Sequence, residues 1–149
     1  MIDEKTLGPL EPIFTFVSHD GTNVNIHPGR LREEVLRKKP EVIMTPVDKD
    51  IAYSYVENNC VSLYRVRELA TRRTSREPII YCEDGFTNGI PDVMLVDGHH
   101  RYVLAATQGL TVIRSVLLLK EFWKPFQIIG TDKISAAFLK AIPIHKRYY

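Results

Sequence analysis

Four apolar residues in a row, Val93-Met94-Leu95-Val96, pass without a break into Asp97-Gly98 and then into a stretch that ends at Gly109. This succession constrains the fold more tightly than any other segment. The apolar run has the length of a buried strand. Tyr102 to Gln108 are good helix formers, and Gly109 is placed to close that helix in the left-handed conformation. Strand, glycine turn and helix therefore follow one another directly, with the helix expected to begin near His99. The first N–H groups of such a helix have no intrahelical partner, and with the positive end of the helix dipole they form an anion site.

The side chains at 97–101 suit the same task. Arg101 can bind phosphate oxygens bidentately, and His99 and His100 are donors that titrate near neutral pH. Gly98 has no side chain to prevent a close backbone approach. Asp97 has three readings: N-cap of the helix, orienter of a histidine, or contact to phosphate through a divalent cation such as Mg²⁺. Adjacent histidines point about 100° apart on a helix, so no structural metal site is expected of His99 and His100. Phosphate binding at Gly98, His99, His100 and Arg101 is the central expectation.

Around this segment the chain alternates strands and helices. Residues 13–17 and 22–27 read as strands joined by Ser18-His19-Asp20-Gly21, a strong turn signal. Leu31, Val35 and Leu36 recur at helical spacing, and Pro40 closes that helix. Residues 42–47 read as a further strand. A helix is expected over about 63–74, capped by Ser62, with Val66, Leu69 and Ala70 inward. Ile79 to Cys82 reads as a buried strand, Gly85, Asn88, Gly89 and Pro91 as a loop, and residues 93–96 as a second strand, antiparallel to the first and leading into the segment at 97–101. Residues 111–119 are β-branched and apolar, which predicts another strand, and a short helix is expected around 133–141. The expected fold class is α+β. The divisions are a hairpin and helix over 1–44, a core over 45–120, and an aromatic and basic tail over 121–149, with Phe122, Trp123 and Phe126 packing on the core.

Composition narrows the function classes only a little. A chain of 149 residues, 44% hydrophobic and 26% charged, can bury a core, and a net charge of +2 does not by itself imply nucleic acid. The basic residues are unevenly spread, with Arg65, Arg67, Arg72, Arg73 and Arg76 in one stretch and Lys140, Lys146 and Arg147 near the end. Cys60 and Cys82 are not spaced as a metal pair and read as free buried thiols. No leader-like apolar run follows Asp3, Glu4 and Lys5, and no stretch is long enough to span a bilayer, so the expectation is a cytoplasmic protein without a membrane partner.

The segment Val96-Asp97-Gly98-His99-His100-Arg101-Tyr102, followed by Ala105-Ala106 and Gly109, resembles the nucleotide-binding box of the ParB/sulfiredoxin superfamily. Val61 to Leu69 looks like that family's entry strand and first helix, and Pro78-Ile79-Ile80 like its next strand; the resemblance covers residues 45–120. It implies a small mixed sheet flanked by helices, here with an N-terminal extension. Sulfiredoxins carry a cysteine where His99 stands, so the resemblance does not carry their reaction over. Chromosome-partition proteins carry Gly-Glu-Arg-Arg in place of Gly98-His99-His100-Arg101. The box is most similar to that of free-serine kinases and of ParB-like proteins labelled nucleases.

The kinase branch implies a nucleotide, ATP or ADP, with Mg²⁺ as a candidate companion, and a small hydroxyl substrate. Glu57 would then be the base, and Asp97, His99 and His100 would share the catalytic work. The alternatives are a nucleotide- or DNA-binding regulator without turnover, in which the basic stretches contact phosphates, and a metal-dependent nuclease.

Overall fold

Strands that are apolar on both faces need a layer on each side, and this chain supplies both. The computed structural model describes residues 2–3, 13–71 and 77–129. Its central sheet has four strands: β4 (Ile43–Pro46), β5 (Ile79–Thr87), β6 (Ile90–Asp97) and β7 (Val112–Leu118). Their order is β4-β7-β5-β6, parallel between β5 and β7 and antiparallel at the two outer pairings. A separate antiparallel hairpin joins β2 (Phe14–Val17) to β3 (Asn23–Ile26), and β1 (Ile2–Asp3) pairs in parallel with β8 (Ile128–Ile129). Among the described residues the architecture is thus mixed α+β.

Side chains along the sheet alternate between two cores, as a period of two requires. Ile80, Cys82, Val96, Val116 and Leu118 face the hairpin, α1 (Pro28–Lys38) and Trp123 of α5 (Lys120–Trp123). Ile79, Leu95 and Ile113 face α2 (Lys49–Glu57), α3 (Leu63–Leu69) and α4 (His99–Thr107). The hairpin and α1 therefore share a core with the sheet. Trp123 is fully buried, its ring 6.0 Å from that of Phe16, with Phe122 and Phe126 packed partly buried beside it.

Local signals explain most element ends. In α1 the His27 imidazole accepts from the Arg30 N–H at 3.1 Å, Pro28 opens the helix, and Lys39 closes it with φ 47°. Leu31 and Val35 are buried, whereas Leu36 stays exposed. Ser62 caps α3, as its sequence position predicts, and Gly109 adopts φ 73° after α4.

Several features depart from the sequence reading. Ala70, expected inward, is exposed just past the end of α3, and Val61, expected in an entry strand, lies in no strand. Residues 49–57 form α2, a helix that the reading leaves unassigned because Tyr53, Tyr55 and Val56 favour strands. The Asp48 carboxylate caps it, accepting from the N–H groups of Asp50 and Ile51 at 2.7 and 3.2 Å. The expected loop at 85–91 is instead the end of a long hairpin. Asn88 and Gly89 take φ 52° and 79°, the left-handed pair of a two-residue turn, and β5 and β6 run up to it on either side. Pro91 fits inside β6 because, among the described residues, that strand pairs only with β5 and lies at the sheet edge. The expected helix at 133–141, the last residues of the expected 63–74 helix and the basic residues of the tail lie outside the described residues.

Candidate functional site

The turn from β6 into α4 forms as the sequence predicts, with Gly98 as N-cap at φ 113° and no side-chain hydrogen bond capping the helix. What crowds Gly98 is the chain itself. A Cβ there would lie 2.4 Å from Ile79 Cγ2 and 3.2 Å from Ile79 Cα, so glycine lets the turn press against β5.

Asp97 does not cap α4. Its Oδ2 accepts from Arg101 Nη2 at 2.7 Å, one helical turn on. Arg101 Nη1 donates to the carbonyls of Glu77 at 2.9 Å and Pro78 at 3.0 Å, which ties the first turn of α4 to the entry of β5. The Glu77 carboxylate in turn pairs with Arg32 of α1. Asp97 Oδ1 is buried and has no hydrogen-bond partner among the described residues. Burial pushes the Asp97 carboxyl above its ordinary range, against the pull of the Arg101 and Arg32 guanidinium groups.

Each of Asp97, His99, His100 and Arg101 keeps 4% or less of its surface exposed. His100 Nε2 accepts the Ser62 N–H at 3.1 Å, so its proton is assigned to Nδ1. Ser62 is the N-cap residue of α3. Two residues along, the Tyr102 hydroxyl accepts the N–H of Asp48, the N-cap residue of α2, at 2.7 Å. The same helix start thus holds the beginnings of both neighbouring helices.

His99 lies between two rings. Phe14 of β2 stacks on it at 5.8 Å and 30°, and Tyr55 of α2 meets it edge-on at 4.8 Å. Burial, with a smaller contribution from the His100 charge, holds the His99 pKa down to about 3. The ring is neutral at physiological pH, so it can donate one hydrogen bond but does not cycle a proton in this state.

Glu57 stands apart from this group. It is the exposed last residue of α2, two positions after Tyr55. No hydrogen bond or ion pair joins it to residues 97–101 among the described residues. The structure therefore brings Asp97, Gly98, His99, His100 and Arg101 together and leaves Glu57 on the neighbouring helix. Phe14, Tyr55 and Glu77 belong to the same region and escape sequence reasoning. Glu77 acts there through its backbone carbonyl, which no residue type announces.

A helix start without a side-chain cap presents backbone donors to an acceptor. Among the described residues no group of three or more His, Cys, Asp or Glu side chains is placed to share a metal ion. Asp97 is already ion-paired and 1% exposed, so the residues present do not fit Mg²⁺. Cys60 and Cys82 are free, and burial pushes both thiols up, most strongly Cys82, away from the reactive thiolate. No family model matches the chain, and no curated protein or solved structure is significantly similar to it.

Proposed function

We propose that this chain binds the phosphate of a nucleotide, ATP or ADP, at the N-terminus of α4, through backbone N–H groups of residues 98–100. The observation that carries this reading is the start of α4. The helix begins straight from β6 at a left-handed glycine, and no side chain caps it. The resemblance of Asp97-Gly98-His99-His100-Arg101 to the ParB/sulfiredoxin nucleotide box supports the same ligand. In this account His99 donates as a neutral imidazole. Arg101 is a positioning residue, because Glu77, Pro78 and Asp97 already hold its guanidinium group.

Phosphoryl transfer to a small hydroxyl substrate is the finer reading. It needs Glu57 to reach that hydroxyl and take its proton while the phosphoryl group moves across. Binding without turnover is the second reading, favoured by the exposed position of Glu57 with no tie to the 97–101 turn.

A thermal-shift panel of ATP, ADP, AMP and inorganic phosphate, each with and without Mg²⁺, tests the proposal. ADP or ATP at a hundred times its dissociation constant raises stability by about 2.7 kcal/mol. No stabilisation by any nucleotide overturns it. Glu57→Gln separates the two readings. In a kinase it abolishes turnover and keeps the nucleotide-induced shift, whereas a binding module shows no turnover even in the unaltered chain.

A further inference from the structure

On the side of α4 that faces β4 and β7, a groove of about 650 Å³ opens at the surface. Its walls are apolar side chains, including Met44, Leu104, Leu110 and Val112. Three of these stay unusually exposed for their type: Met44 at 56%, Leu110 at 51% and Val112 at 45%. A contiguous apolar surface left facing water marks a binding site more often than chance. The volume falls within the roughly 300–1,000 Å³ of small-molecule sites.

The groove also has a built polar end. Arg101 lines it, 4% exposed and held in place by two carbonyls and Asp97. Those three bonds use three of the five guanidinium N–H donors. The Nε–H and one Nη2–H donate to no group among the described residues. Arg114 lines the groove as a second cation. Glu77, the one carboxylate among the described lining residues, is already paired with Arg32. Cationic groups thus meet apolar walls, and the acidic group that would oppose an anion is matched from outside.

We propose that this groove binds a small amphipathic acid, a carboxylate with an aliphatic body, whose head accepts the remaining N–H donors of Arg101 while its chain lies against Leu104, Leu110 and Val112. The site is distinct from the phosphate reading, since it lies along the body of α4 and takes side-chain donors of Arg101, whereas the phosphate is held by backbone N–H groups.

The test is an amide-resolved NMR titration of the full chain, without nucleotide, using sodium octanoate, octanol and octylammonium chloride as probes. Octanoate gives saturable shifts at Leu104–Leu110 and Val112–Arg114 and binds at least tenfold tighter than octylammonium. Val112→Trp, which fills the groove from an exposed position, removes the octanoate response and leaves the melting temperature unchanged. Arg101→Lys weakens octanoate more than octanol. The proposal is overturned by equal binding of acid and ammonium, by shifts centred elsewhere, or by an octanoate response that survives Val112→Trp in a folded protein. Because no nucleotide is present, failure here leaves the phosphate reading intact, and the converse also holds.

Discussion

His99 changes the pH behaviour of the whole chain. An unfolded histidine titrates near 6.5, and in the fold His99 is held at about 3. Its contribution to stability is complete above the unfolded value and is lost as pH falls through the window between the two. Between pH 7 and pH 5 that loss is roughly 2 kcal/mol. Urea denaturation at both pH values reads it, and His99→Phe reduces the difference by most of that amount. Gly98 makes a second test. Gly98→Ala adds a Cβ 2.4 Å from Ile79 Cγ2 at φ 113°, so it destabilises by about 2 kcal/mol or more in the same assay. The requirement for glycine at 98 was legible in the sequence. Its cause was not, because the partner that crowds it is a strand residue nineteen positions earlier.

The elements around the turn depend on one another through few bonds. Arg101→Ala removes the partner of a buried carboxylate and leaves the Glu77 and Pro78 carbonyls without their donor, a loss of about 3–5 kcal/mol. Replacing Asp97 and Arg101 together by leucine restores part of that stability, which a double-mutant cycle measures. His100→Ala leaves the Ser62 N–H without its acceptor, and hydrogen exchange in α3 speeds up relative to α1. Helix caps and the turn glycine could be read directly. The α2 helix could not, because its β-favouring tyrosines are helical only where Tyr55 packs against Tyr102 and His99 of α4. The long β5–β6 hairpin was hidden by Gly85 and Pro91, although Asn88-Gly89 carried the turn signal for it.

At the scale of the molecule, three layers share the sheet as their middle. The residues before β4, among them Phe16, Val24, Ile26, Leu31 and Val35, therefore share one core with Ile80, Val96, Val116 and Trp123. A chain that begins at residue 45 loses cooperative unfolding by circular dichroism, since it exposes that face. The sequence raised the expectation of an anion site, from a strand, a glycine and a helix in succession. It did not show that the Arg101 side chain turns inward, onto the carbonyls of residues 77 and 78 and the Asp97 carboxylate. The proposed phosphate is therefore held by the backbone N–H groups of the helix start. An ADP titration followed on the amide resonances of Gly98, His99 and His100 tests that claim most directly. Saturable downfield shifts confined to those amides and their neighbours, with a fitted affinity matching the thermal shift, are the predicted result. ADP that leaves all three amides unmoved, or that binds while shifting another region, contradicts it.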